Sequence, residues 1–239
     1  KARKILKRTK PDIVIGVGGF ASGPTLRMAA SLNIPILIQE QNSYPGVTKK
    51  IMGKKADKIC VAYDNMHQWF PKDKIVVTGN PLRNNIKPVD DKKTDAMNYF
   101  NLDPNKKTIL LVGGSQGALG INKGISAQLS LFSDKEYQMI WQTGKFYYET
   151  AVNEVKSNGL EDKIKCTVFI DRMDLAYAAA DVVISRAGAI SISELSLLGK
   201  AVVFVPLPTA AEDHQTKNAK RLVDADAALM VKNDATEKS

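Results

Sequence analysis

Histidine and cysteine are the scarcest reactive residues of this 239-residue chain, with two of each. His67 and His214 stand far apart, and Asp224-Ala225-Asp226 falls at a helix end, so no metal site is expected. The same scarcity leaves no Ser-His-Asp or Cys-His set visible from spacing. Cys60 and Cys166 sit singly inside expected strands, which suits small core residues in a reducing compartment and not a disulfide or metal pair. No run of 18 or more apolar residues occurs, so no membrane-crossing helix is expected. The chain opens Lys1-Ala2-Arg3 without a methionine, and a fragment of a longer protein is the expectation.

What is present is a basic excess, unevenly placed. Residues 1–83 hold 15 Lys and Arg against 5 Asp and Glu, whereas residues 84–239 hold 19 against 20, so the net charge of +9 resides in the first third. That end is suited to an anionic surface, either lipid headgroups or nucleic acid, unless it is simply a solvated basic face. In the stretch 44–55, Lys49, Lys50, Lys54 and Lys55 accompany Val47, Ile51 and Met52. The mixture fits either a helix resting on an anionic membrane or a core helix with a lysine-rich outer face.

Apolar, β-branched runs alternate with helical patterns along the whole chain, which predicts parallel sheets covered by helices. Strands are expected at 12–17, 35–39, 58–62 and 75–78 in the first part, with helices at 24–32, 44–55 and near 65–70. After the turn Gly79-Asn80-Pro81-Leu82-Arg83 comes a polar segment, 84–107. The domain boundary is therefore expected near Arg83, giving domains 1–83 and 84–239. The second part predicts strands at 108–112, 137–142, 165–169, 181–185, 201–205 and 227–231. Helices between them are expected at 117–131, 146–156, 173–179, 190–198 and 214–223. Six strands with five crossovers make a doubly wound α/β sheet, whose ligands bind beyond the carboxyl ends of the strands.

The stretch Ala180–Pro208 reads strand, loop, helix, strand. Its loop Arg186-Ala187-Gly188-Ala189 leads into a helix whose first N–H groups lack intrahelical partners and carry the positive end of the dipole, a seat for phosphate. Glu194, a turn further in, is suited to the two hydroxyls of a ribose. Equally, Ser191-x-x-Glu194 fits a capping box in which Glu194 satisfies a backbone N–H.

Other loops also follow strands. Gly16-Val17-Gly18-Gly19-Phe20-Ala21 fits G-x-G-x-x-[GA], with Glu40 where a dinucleotide fold keeps its ribose acid, so an NAD-dependent enzyme is the rival reading. Against it, Ser22-Gly23-Pro24 delays the helix. Gly113-Gly114-Ser115-Gln116-Gly117-Ala118 lets the backbone approach a ligand and offers Ser115 to a phosphate oxygen, or is an ordinary tight turn. It lacks the G-K-[ST] ending, which excludes P-loop NTP hydrolysis. Gln39-Glu40-Gln41-Asn42 and Glu212-Asp213-His214-Gln215 bring amide groups that suit sugar hydroxyls.

Taken together, Gly18-Gly19-Phe20-Ala21-Ser22-Gly23-Pro24, Glu40-Gln41-Asn42, Gly79-Asn80-Pro81-Leu82-Arg83, Gly113–Ala118, Trp141-Gln142-Thr143-Gly144 and Ser185–Ala189 through Glu194 resemble the MurG family in order and spacing. The resemblance covers nearly the whole chain. It implies a GT-B architecture of two Rossmann-like domains, here with the first incomplete, and a peripheral enzyme on the cytoplasmic face of the bacterial inner membrane. The implied reaction is inverting transfer of GlcNAc from UDP-GlcNAc to the C4 hydroxyl of the muramoyl sugar of lipid I, making lipid II for peptidoglycan synthesis. Another UDP-sugar GT-B enzyme is the neighbouring alternative. The resemblance implies no cofactor, no metal and no nucleic acid, with an anionic membrane surface met through residues 1–83.

Position by position, it implies that Glu194 holds the uridine ribose and the backbone around Ile170 reads the uracil edge, with Arg83 nearby. Ser115 and the helix start at Ala189, Ile190 and Ser191 would face the diphosphate, and Asn42 and Gln215 the GlcNAc hydroxyls. Gly18, Gly19 and Ser22 would lie near the acceptor's diphosphate. His214 departs from members with a second Gln there. The family's first glycine-rich loop, with its proposed catalytic histidine, and its closing helix have no counterpart in these residues, so the catalytic base is left unassigned.

Overall fold

The computed structural model describes residues 1–88, 92–133 and 136–234. The chain divides into two compact units, Lys1–Pro81 and Leu82–Ser239, so Arg83 belongs to the second unit and not to the first as the sequence suggested. Residues 89–91 of the polar segment lie outside the described residues.

The first unit is a four-stranded parallel sheet in the order β1 (Val14–Gly16), β2 (Ile36–Glu40), β3 (Lys58–Val61), β4 (Ile75–Val77). Period-two alternation places Ile36, Ile38, Ile59 and Val61 on one face, fully buried. Against that face pack Leu6 of α1 (Ala2–Thr9), Leu26 and Ala29 of α2 (Ser22–Ser31) and Met52 of α3 (Val47–Gly53). The other face leaves Ile15 and Val76 exposed. Helix α1 escaped the sequence reading because it buries only Leu6 and is otherwise basic and solvated. Helix α2 starts two residues before the expected Pro24, at Ser22. The short helix expected near 65–70 is a single 3₁₀ turn, Met66–Gln68.

Helix α3 is shorter than the expected 44–55, and its faces differ from the expectation. Val47 and Ile51, four residues apart, are both exposed, and Lys50 stands 3.9 Å from the centre of the Tyr44 ring. Lys49, in contrast, is buried. The basic outer face therefore excludes Lys49.

The second unit is a six-stranded parallel sheet in the order β10 (Leu229–Met230), β9 (Ala201–Phe204), β8 (Val182–Ser185), β5 (Lys107–Val112), β6 (Tyr137–Gln142), β7 (Ile164–Thr167). Both faces are covered. Leu110, Ile140, Val183 and Phe204 meet α4 (Lys93–Phe100), α7 (Met173–Ala179), α8 (Ala189–Leu197) and α9 (His214–Val223), while Leu111, Met139 and Trp141 meet α5 (Leu119–Ser126) and α6 (Tyr148–Ser157). Helix α4 lies inside the stretch read as a polar segment and is anchored by the buried Ala96 and Met97, with Phe100 packed beside them. Helix α5 ends at Ser126, and the remainder of the expected 117–131 helix includes a 3₁₀ turn at Leu129–Phe132.

Strand order reverses about β5, whose two neighbours are β6 on one side and β8 on the other. In a doubly wound sheet the crevice at such a switch point, beyond the carboxyl ends, is where ligands bind. Register aligns Val112 with Gln142 and with Ser185, so the loops after these strands emerge side by side.

Candidate functional site

Beyond Val112 and Ser185 lies an open cavity of about 570 Å³. The loop 113–118 forms one wall, Arg186, Gly188 and Ser191 a second, and Leu207–Thr209 with Gln215 and Asn233 a third. Ser115 is exposed at its mouth. The loop owes its shape to glycine: Gly114 and Gly117 have φ of 91° and 79°. Gln142, buried at the end of β6, ties it down. Its Oε1 accepts from Gly113 N (3.2 Å), and its Nε2 donates to Gly114 O (2.8 Å) and Val168 O (3.2 Å).

Helix α8 opens at the cavity. Its N-cap is Gly188 in extended conformation, no side chain caps it, and its first turn holds no acidic residue. Among the described residues no capping side chain and no first-turn carboxylate therefore claims the amides of Ala189, Ile190 and Ser191, and the dipole is left for an anion. The capping-box reading fails here: Ser191 is the third helical residue, not the cap, and Glu194 faces elsewhere.

The Glu194 carboxylate is buried beneath Arg83 and Tyr177. Arg83 Nε lies 3.1 Å and Nη2 2.9 Å from Oε1, and the Tyr177 hydroxyl donates to Oε2 at 3.0 Å. Burial, and then the Glu194 charge, push the phenol well above its ordinary value, so Tyr177 is a neutral donor. The side chain of Ile170 belongs to the core, which leaves only its backbone for recognition.

Arg186 donates from Nη1 to Val205 O and Pro206 O, both at 3.0 Å, holding the third wall. Burial lowers its pKa. Gln215 Oε1 accepts from Leu207 N at 2.9 Å, so this amide also supports that wall. His214 turns Nδ1 towards Ala211 O. Spacing had not singled out Tyr177, and Gln142 entered only as part of a motif. Gln142 could have been found as a polar residue ending an apolar strand just before Thr143-Gly144, whereas Tyr177, in the middle of an alanine-rich helix, carries no such signal.

In the first unit, Gly18 and Gly19 have φ of 103° and 78°, Ser22 Oγ donates to Gly19 O at 2.9 Å, and Phe20 is almost wholly exposed. Glu40 is fully buried. It accepts from Asn42 N (2.9 Å), Asn42 Nδ2 (3.4 Å), Gly46 N (3.3 Å) and Lys49 Nζ (3.2 Å). Two of these partners are backbone amides and a third is the buried Lys49, none of them free to withdraw into solvent, so this carboxylate is not presented to a ribose and the NAD reading loses its acid. The carboxylate instead shapes the loop that carries Asn42.

Residues 108–239 match the glycosyltransferase family 28 C-terminal domain, and residues 1–61 match the corresponding N-terminal domain. A UDP-N-acetylglucosamine–N-acetylmuramyl-(pentapeptide) pyrophosphoryl-undecaprenol N-acetylglucosamine transferase of Parabacteroides distasonis is 58% identical, over 99% of this chain and 64% of its own length. The Flavobacterium psychrophilum protein of the same name is 52% identical, over 97% and 62%. This chain thus spans a little under two thirds of these relatives. Among solved structures, MurG of Acinetobacter baumannii is 31% identical with a TM-score of 0.75, covering 99% of this chain and 66% of that one.

Proposed function

This chain belongs to glycosyltransferase family 28, with two Rossmann-like parallel-sheet units of the GT-B type, and on that premise we propose that its second unit binds UDP-GlcNAc. The whole protein then transfers GlcNAc to the C4 hydroxyl of the lipid I muramoyl sugar, with inversion. The observation that carries this reading is the uncapped start of α8 at the switch-point cavity, with a buried acid in the same helix.

In the reaction the acceptor oxygen forms a bond to the anomeric carbon as the bond from that carbon to UDP breaks. The acceptor's proton passes to a base, which these residues leave unassigned. Negative charge grows on the departing diphosphate. The N–H groups at Ala189, Ile190 and Ser191 are fixed in place before that charge develops and stabilise it without reorganisation, and the exposed Ser115 hydroxyl can turn to add a further donor. Glu194 takes the ribose hydroxyls, the backbone near Ile170 and Arg83 meet the uracil side, and Gln215 offers its amide to GlcNAc. In the first unit, Asn42 offers an amide to sugar hydroxyls, and Gly18, Gly19 and Ser22 lie towards the acceptor's diphosphate.

The protein works at the cytoplasmic face of the bacterial inner membrane. Support comes from the exposed Val47 and Ile51 beside Lys50 and Lys54, and from Arg3, Lys4, Lys7 and Arg8 on α1. Among the described residues no helix is long and apolar enough to cross a bilayer. Cosedimentation with anionic but not neutral vesicles, weakened by salt, is the expected behaviour.

Thermal shift against a nucleotide panel tests the donor site. UDP and UDP-GlcNAc should raise Tm, since a ligand bound only by the folded state stabilises it. NAD should not, and Glu194→Ala should lose the UDP shift while keeping its circular dichroism. Stabilisation by NAD alone would overturn the assignment, and preference for a different UDP-sugar would point to the neighbouring enzyme class.

A further inference from the structure

Four hydrogen bonds converge on one carboxylate. Glu194 Oε1 accepts from Arg83 Nε at 3.1 Å and Nη2 at 2.9 Å, and Oε2 accepts from Arg83 Nη2 at 3.1 Å and from the Tyr177 hydroxyl at 3.0 Å. An ionised carboxylate offers about four lone-pair sites. All are taken, so a ribose diol can reach Glu194 only if a present donor withdraws.

The two donors are not equally able to withdraw. Tyr177 is 3% exposed, sits within α7, and packs in the same core cluster as Ile192 and Leu195 of α8. Its hydroxyl cannot leave Oε2 without a tyrosine ring moving through that core. Arg83 stands on an irregular segment with its side chain 48% exposed, and its guanidinium can exchange the carboxylate for water. When Arg83 leaves, three of the roughly four acceptor sites open, enough for two vicinal hydroxyls.

We infer that Tyr177 is a positioning residue that anchors Glu194 Oε2 and so aims the carboxylate at the ribose diol, while Arg83 occupies the diol's place until the nucleotide displaces it. This rests on the reading of Glu194 as the ribose acceptor. A buried tyrosine needs a hydrogen-bond partner in any case, and a backbone carbonyl would serve that need at lower cost than a buried charge. With a carboxylate as the partner, the phenol fixes the orientation of a group that must itself recognise a ligand.

The experiment compares the affinities of UDP and 2′-deoxy-UDP by calorimetry, on the full 239-residue chain and its variants. The parent chain should prefer UDP by about tenfold or more, because a site built to accept from a hydroxyl rejects the analogue that lacks it. Glu194→Gln should reduce that ratio to near one. Tyr177→Phe should lower the ratio at least about threefold, the low end of what one hydrogen bond contributes, while leaving 2′-deoxy-UDP affinity within about twofold. Arg83→Ala should keep the ratio.

Equal weakening of both ligands by Tyr177→Phe would mean a structural role only and would overturn the inference. So would a ratio untouched by Tyr177→Phe but collapsed by Arg83→Ala, an outcome that reverses the two roles. If Glu194→Gln removes discrimination and Tyr177→Phe does not, the ribose reading stands and the inference about Tyr177 falls. Absence of discrimination in the parent chain removes both.

Discussion

Gly117 and Gly144 meet backbone to backbone in the second unit. A Cβ on Gly117 would overlap the Thr143 carbonyl, and a Cβ on Gly144 would overlap the Gln116 carbonyl. Both residues also have positive φ, 79° and 75°, where an L side chain is strained by about 1–2 kcal/mol. The loop after β5 is thereby seated directly on the loop after β6, which explains why two separate glycine motifs recur in one chain. Gly117→Ala and Gly144→Ala should each destabilise this unit by about 2–5 kcal/mol, overpacking adding about 1–3 to the strain. Urea unfolding of the two single variants and the double variant checks this. The double variant should cost less than the sum, because the two loops separate once.

Gln142 should matter for nucleotide affinity without touching the nucleotide. Its amide closes three bonds to Gly113, Gly114 and Val168, joining the loops after β5 and β7 across the end of β6. Gln142→Leu removes all three at similar volume and leaves backbone groups unpaired, at about 1–3 kcal/mol. Gln142→Glu keeps the acceptor for Gly113 N but loses both donations. The expected order of UDP affinity is parent, then Glu, then Leu, read by calorimetry with circular dichroism unchanged. Equal affinities would show that the loop holds its shape through its glycines alone.

The strands of both units were legible because their runs are apolar, β-branched and bounded by polar turns, and the ten among the described residues lie within the expected segments or a residue of them. The helix starting at Ala189 was legible for the same reason, since small residues precede an apolar run. Helices α1 and α4 were not, because each is only eight residues long and buries one and two side chains respectively, too short a window for a period to stand out. At the candidate site the loops could be read and their wiring could not. Ser191 and Glu194 carry the spacing of a capping box, yet what occupies Glu194 is an arginine 111 residues earlier in the chain. Lys49 was expected on an outer face, turned to an anionic membrane or to solvent, but its partner Glu40 lies on a different element and converts it to a buried residue. Contacts between different elements, whether nine or 111 residues apart, leave no periodic trace.

Asp174 should set an acid limit on the second unit. Its carboxylate accepts from Arg172 Nε and Nη2 at 2.9 Å and from Lys92 Nζ at 3.0 Å. The Arg172 hydrogen bonds, aided by Lys92 and opposed by burial, hold it far below its ordinary value of 3.8. A depressed folded pKa means the unfolded chain takes up the proton first. The stabilisation is therefore fully present above pH 3.8 and is lost as pH falls towards the folded value. Asp174→Asn should be less stable than the parent at neutral pH, and the gap should narrow below that point. Paired denaturation curves at neutral and acid pH read the difference directly.

The buried pair in the first unit has a linkage of the same sign, below 10.5 instead of below 3.8. Lys49 Nζ lies 3.2 Å from Glu40 Oε1 and donates to Gln41 Oε1 at 2.7 Å, with both charged side chains out of solvent. Gly18 passes close over the lysine, since a Cβ there would stand 2.8 Å from Lys49 Cε. Burial lowers the Lys49 pKa from 10.5 despite the Glu40 charge and hydrogen bond, so the unfolded state holds the proton more tightly. This contribution to stability therefore rises as pH climbs from the lowered value towards 10.5 and falls on the return. Glu40→Gln leaves the ammonium buried with no counter-charge, and should destabilise the unit by about 3–5 kcal/mol. Glu40→Gln combined with Lys49→Met should recover most of that loss, because removing both charges removes the desolvation cost together with the attraction. Melting the single and double variants at pH 7 and again near pH 10 decides the matter. A single variant as stable as the parent would mean that Lys49 reaches water by another route, and the Gly18 loop would then owe nothing to the pair.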